Sequence, residues 1–142
     1  MLGMLAASDS EVVCDVNRML PPQGENRSVL LFRGGTLDLK IYYDMNDAEG
    51  VIHLEFMGVC SVYVSAIPGV DITRLQSGRD PHVGCLIEFR KSKAADEWSA
   101  YLHWRTNPTK HFQLVLMEEG RRFDVFAESV VVTETDHDTL GS

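Results

Sequence analysis

Five histidines, three cysteines and twenty-one carboxylates are what this 142-residue chain offers for chemistry. His53, His82, His103, His111 and His137 form none of the HxH, HxxxH or HExxH spacings that bring two imidazoles to one metal. His103 and His111 are a different case, because they fall on the polar phase of two expected strands joined by a turn at Thr106-Asn107-Pro108-Thr109. Tyr101, Arg105 and Gln113 share that phase, and Asp124 and Glu128 join it from the following strand. Such a group could hold a metal or move a proton. It is also what the wet side of any antiparallel sheet carries, and that is the preferred reading. As an outward surface, Tyr101, His103, Arg105, His111 and Gln113 combine an aromatic, a guanidinium and two imidazoles, with Asp124 and Glu128 supplying negative charge. Tyr and Arg are the residues enriched in protein-binding hot spots, so these seven positions are the expected partner surface.

Nucleophilic and phosphate chemistry find less support. There is no GxSxG elbow, and Ser61, Ser65, Ser99 and Ser129 have no identifiable base. Arg33-Gly34-Gly35-Thr36 has the look of a phosphate cradle but lacks the Lys-Ser/Thr pair and the helix N-terminus that such a cradle needs. Asp44, Asp47 and Glu49 lie in a turn-rich loop without the spacing and closing Glu of an EF-hand. Cys14, Cys60 and Cys85 are odd in number and show no CxxC, which argues against a disulfide framework and a zinc site; Cys60 and Cys85 read as small hydrophobes in apolar runs. No catalytic residue, metal set or cofactor is therefore expected.

Acids outnumber Lys plus Arg by 21 to 13, a net charge of −8 with a pI near 5.0. That disfavours nucleic acid, which selects a basic footprint. Arg90-Lys91 with Lys93, and Arg121-Arg122, interrupt the acidity only in turns, where charge keeps strand edges soluble. Residues 1–7 are apolar but follow no Lys or Arg and end at Ser8-Asp9-Ser10-Glu11, unlike a signal peptide. No run approaches the ~20 apolar residues of a membrane helix. A cytosolic protein with reduced thiols is the expectation.

The elements that must position these residues are mostly strands. Leu37, Leu39, Ile41 and Tyr43 alternate with polar neighbours, introduced by Gly34-Gly35 and preceded by a partner strand at 28–33. Ile52, Leu54 and Phe56 repeat the pattern until Gly58, which suggests a bulge, and 59–66 resume it. Val83, Cys85, Ile87 and Phe89 alternate next with Gly84, Leu86 and Glu88. Trp98, Ala100, Leu102 and Trp104 read as a further strand, with a helix over 94–101 as the rival because Ala94-Ala95-Asp96-Glu97 favours one. Phe112, Leu114 and Leu116 form a hairpin with Phe123, Val125 and Ala127, and 130–133 continue. Ser10 could cap a helix over 11–20, with a strand at 11–16 as its rival. Residues 70–82 are irregular, with one helical turn at 71–75. The expected fold is mainly β: an antiparallel β-sandwich, curled sheet or barrel of about seven to nine strands with one or two short helices. One domain is expected, with a leading segment at 1–27, a β core at 28–133 and a polar tail at 134–142. Trp104 and Leu114 are the expected core anchors.

The run of residues 34–44, then Gly50-Val51-Ile52-His53-Leu54-Glu55-Phe56, then Phe123 to Val130 resembles small β-rich bacterial proteins, some of them immunity proteins of toxin systems. The resemblance covers roughly residues 28–132 and carries no functional residue across. It implies a cytosolic inhibitor that binds one protein partner. The lack of a catalytic signature on an acidic β domain makes a non-enzymatic binding module, monomer or homodimer, the first expectation. The acid excess suits a basic, toxin-like partner. The second expectation is a small-molecule-binding barrel or sandwich, with enzymatic activity open to it, whose Tyr42, Tyr43, Phe56, Tyr63, Phe89, Trp98 and Trp104 line a cavity instead of filling a core.

Overall fold

Alternating apolar residues on several short segments can be buried only by laying one sheet against another, and the computed structural model shows that arrangement. It describes residues 10–21, 24–46, 48–66, 84–116 and 119–136. The expected irregular stretch at 70–82, the first nine residues and the tail from residue 137 lie outside the described residues. Among the described residues, nine strands and one α-helix follow in chain order: β1 Ser10–Asp15, a 3-10 turn Val16–Arg18, β2 Arg27–Arg33, β3 Thr36–Met45, β4 Ala48–Met57, β5 Ser61–Ala66, β6 Cys85–Phe89, α1 Lys93–Tyr101, β7 Lys110–Leu116, β8 Arg121–Ala127 and β9 Ser129–Asp136. They form a five-stranded sheet, β1-β6-β7-β8-β5, and a four-stranded sheet, β2-β3-β4-β9, with antiparallel pairing throughout. The mainly β, sandwich-like expectation holds, and neither sheet closes into a barrel.

The core lies between the sheets. Leu37, Leu39 and Ile41 of β3 and Ile52, Leu54 and Phe56 of β4 meet Phe112, Leu114 and Leu116 of β7 and Phe123 and Val125 of β8. Phe56 and Phe112 touch across the gap, their ring centroids 5.7 Å apart. The period-two reading thus places β3, β4, β7 and β8 correctly, Leu114 included. On β6 the phase is the reverse of the expected one: Leu86 joins this core, while Cys85, Ile87 and Phe89 form a second small cluster. Their neighbours across the strands are Gln113 and His111, on the sheet's outer face.

Two elements take the rival reading. Residues 10–15 are a strand, and Val16 then drops from the 3-10 turn into the core. The expected strand over 98–104 is instead α1 and the turn after it. Ser92 caps this helix, its Oγ accepting the Ala95 N–H at 3.1 Å. Asp96 in the first turn suits the positive end of the helix dipole. Only Ala95 of the helix is buried, so α1 lacks the apolar stripe that announces a helix in sequence. Trp104 is accordingly no core residue; it is 67% exposed in the turn beyond the helix.

The two sheets are joined at one corner. The β4–β9 ladder ends at Met57↔Ser129, and the β5–β8 ladder of the other sheet begins at Ser61↔Phe126. Gly58-Val59-Cys60 on one strand therefore faces Ala127-Glu128 on the other, a surplus of one residue that bends the ribbon. Gly58 takes φ +66°, and a Cβ there would run into the Glu128 carboxyl. The bulge expected at Gly58 is this bend.

Three substitutions test the packing by urea unfolding. Leu114→Ala removes a fully buried side chain and should lose about 2–5 kcal/mol. Trp104→Ala, at an exposed position, should change stability by no more than about 0.5 kcal/mol. Gly58→Ala should cost about 1 kcal/mol or more, because a Cβ is forced into a left-handed backbone.

Candidate functional site

The seven residues expected on one surface fall into three groups. The reason is that the outer face of the five-stranded sheet is not wet where α1 lies against β7. Ser92 and Ser99 of this segment reach His111 and Thr109 at the start of β7.

Of the seven, the buried His111 and Asp124 group with the half-buried Gln113. His111 and Asp124 are 6% and 4% exposed, which corrects their expected outward placement. The His111 ring stacks on Phe126, centroids 4.5 Å apart, and contacts Phe89 at 4.6 Å. Asp124 is the hub. Its Oδ1 accepts from His111 Nε2 at 2.8 Å and from Gln113 Nε2 at 3.0 Å, and its Oδ2 accepts from Arg122 Nε at 3.0 Å. Burial pushes this carboxyl up, but the His111 and Gln113 hydrogen bonds and the Arg122 charge outweigh it and hold the group below the usual carboxylate range. On the far side of the ring, Nδ1 lies 3.0 Å from Ser92 Oγ. With Nε2–H directed at Asp124, Nδ1 accepts the Ser92 hydroxyl proton, and Ser92 Oγ in turn accepts the Ala95 N–H. This Ser–His–Asp chain escaped the sequence reading, since Ser92, His111 and Asp124 are far apart in sequence and share no motif. Its connectivity is that of a nucleophile relay with the two ring nitrogens exchanged. Mechanically, it fastens the start of α1 to the sheet.

Arg105 and Glu128 belong to the corner. Arg105 Nη1 donates to the Gly58 carbonyl at 2.9 Å, sits 3.3 Å from Glu128 Oε2 and lies 3.4 Å from Cys60 Sγ. Asn107 Nδ2 donates to Glu128 Oε1 at 3.2 Å. Both residues brace the bend between the sheets.

Tyr101 and His103 are exposed, as expected, but from the end of α1 and the turn after it. Tyr101 is 70% exposed and touches Trp98 and Trp104, with centroids at 6.0 and 6.5 Å; His103 meets Trp104 edge-on at 5.5 Å. The connection that carries these rings is pinned at both ends. The Leu102 N–H closes on the Trp98 carbonyl, Ser99 Oγ accepts the Thr109 N–H at 2.9 Å, and Arg105 holds the corner.

A second carboxylate hub lies on the outer face of the four-stranded sheet. Asp38 is 3% exposed; Arg33 donates to both its oxygens through Nε and Nη2, and His53 Nε2 lies 2.7 Å from Oδ1. Arg33 also reaches Glu55 at 2.9 Å. The Arg33 guanidinium, with His53 beside it, holds the Asp38 carboxyl down at about 2 against the burial that raises it.

The aromatics expected to line a cavity do not converge. Tyr43 and Phe56 are in the core, Phe89 is on the outer face of the five-stranded sheet, Tyr42 lies beneath Arg27 on the other sheet, and Tyr63 is exposed. Among the described residues, no group of three or more His, Cys, Asp or Glu is placed to hold a metal ion, and no helix is long and apolar enough to cross a membrane. No protein-family model, curated protein or solved structure matches the chain.

Asp38 and Asp124 both ionise more readily in the folded chain than in the unfolded one. Each therefore stabilises the fold at pH above the ordinary carboxylate value, and that contribution is lost as acid protonates the folded form. For Asp38 the window runs from its ordinary 3.8 down to about 2. Urea titrations across that window should show stability falling with pH, and Asp38→Asn should flatten the slope. An unchanged slope would mean that Arg33 and His53 do not hold the carboxylate in solution. Asp124→Ala, which strips the acceptor from His111, Gln113 and Arg122, should lose about 3–5 kcal/mol by the same measurement.

Proposed function

We propose that this chain is a non-enzymatic protein-binding module, an inhibitor of the immunity type, which docks a basic partner on the aromatic surface at the end of α1. The observation that carries the reading is the exposure of Tyr101 and Trp104, 70% and 67%, in mutual ring contact on a braced connection. Large aromatic rings left in water side by side are the composition of a binding hot spot. A turn held at both ends loses little conformational freedom on binding, so more of the contact energy reaches the complex. Glu97, four residues before Tyr101 and exposed, adds a carboxylate on the same helical face. The −8 charge steers a basic partner, such as a nuclease-type toxin, from a distance. Cys14, Cys60 and Cys85 are not in disulfides, which suits the reducing cytoplasm. The Ser92–His111–Asp124 chain fits this reading as a fastener for the helix, because the serine hydroxyl is engaged on both sides and the ring is wedged against Phe89 and Phe126.

The test is a comparison of the wild type with Tyr101→Ala/Trp104→Ala, Arg105 being left intact because it braces the corner. The double variant should keep its stability within about 0.5 kcal/mol per site. Wild-type chain should recover a basic protein from its host, and titration of that protein should show binding weakened by about 2 kcal/mol or more in the variant. Normal binding by the variant removes the proposed surface. Labelling of Ser92 by a fluorophosphonate probe, abolished in Ser92→Ala, would turn the reading toward an acyl-transfer enzyme.

A further inference from the structure

Among the described residues, four strands form the edges of the two sheets, and an edge presents unpaired backbone N–H and C=O groups to any strand that can reach it. β1 is interrupted by a register shift between Val12 and Cys14, and on β9 Val131 alone of the large apolar side chains is exposed. β5 exposes two, Tyr63 and Val64. β2 exposes three, the most of the four edges. It is seven residues long, pairs with β3 in unbroken register, and contains no Gly or Pro. Val29, Leu31 and Phe32 on it are 43%, 52% and 54% exposed.

The two charges on β2 do not guard its edge, because both are turned back over their own sheet. Arg27 lies over the Tyr42 ring, 3.9 Å from its centroid, and reaches Glu49 on β4 at 3.3 Å. Arg33 reaches across to Asp38 and Glu55. What remains along the strand is Ser28, whose hydroxyl donates to Glu119 at 2.8 Å, and Val29, Leu30, Leu31 and Phe32.

We infer that β2 pairs antiparallel with β2 of a second copy of this chain, joining two four-stranded sheets into one of eight. A twofold axis perpendicular to the sheet generates this contact, and full overlap of a seven-residue strand places the axis at Leu30. Val29 of each copy then lies opposite Leu31 of the other, and Ser28 opposite Phe32. The ends are electrostatically compatible. Arg27 of one copy comes opposite Arg33 of the other, and Arg33 is held by two carboxylates, so the group Arg27 meets carries one more negative charge than positive. The contact uses a face of the molecule separate from Tyr101 and Trp104.

Sedimentation of the full chain over a range of concentrations should show a monomer–dimer equilibrium. Val29→Lys/Leu31→Lys sets lysines directly opposite lysines twice across the axis. It should raise the dimer dissociation constant about tenfold or more while leaving the thermal transition of the monomer in place. Leu30→Cys meets its own symmetry mate and should form a covalent dimer on mild oxidation to a greater extent than the wild type. A wild type that is monomeric at every concentration overturns the inference. So does a dimer that the lysine variant leaves unchanged, since it would form through another surface, and so does cross-linking of Leu30→Cys no greater than that of the wild type.

Discussion

Two strands turn one corner together, and most of the molecule follows from that. The β4–β9 ladder of one sheet runs into the β5–β8 ladder of the other, so the sheets are held face to face by a continuous hydrogen-bonded ribbon as well as by side-chain packing. The bend is made by a single surplus residue and a glycine in the left-handed region. The close approach of Glu128 to Gly58 explains why glycine is needed there for space as well as for φ. With Glu128 at that point, Arg105 and Asn107 find their partner, and the connection leaving α1 is tied to the corner. Tyr101 and Trp104 are carried, exposed, on that tied segment.

The outer faces of the two sheets use one chemical solution twice. In each, a nearly dry aspartate accepts an Arg Nε on Oδ2 and a His Nε2 on Oδ1: Arg33, Asp38 and His53 on one side, Arg122, Asp124 and His111 on the other. A buried carboxylate is tolerable only when its oxygens are satisfied by charged or dipolar donors. Each hub crosses strands that the core residues already hold in register, so a register slip would break an ion pair as well as turn apolar groups outward.

The period-two alternation on β3, β4, β7 and β8 was readable because each of these strands sends one phase into a single shared core. β6 was misread because it has apolar residues on both phases, Leu86 facing one cluster and Cys85, Ile87 and Phe89 the other. Alternation cannot rank two dry faces. Trp98 to Trp104 failed for another reason: aromatic residues at even spacing imitate a strand, while the signals that mattered were Ser92 as a cap and the Ala-Ala-Asp-Glu run after it. The partner surface was partly legible, in that Tyr101 and His103 are exposed. The premise that polar phase means wet phase broke down at His111 and Asp124, where α1 covers the sheet. Nothing local in the sequence announces that a helix will lie there.

The strand order has a bearing on how the chain is made. β9, the last of the described strands, closes the flank of β4, whose residues are synthesised some eighty positions earlier, and β1 finds its partner only when β6 has appeared. A chain emerging from the ribosome therefore holds β2, β3 and β4 as an incomplete sheet, with the apolar side of Ile52, Leu54 and Phe56 uncovered until β7 and β8 arrive. Pairings this remote in sequence form late and slowly. Until β9 is made, the flank of β4 that it pairs with stays an open edge.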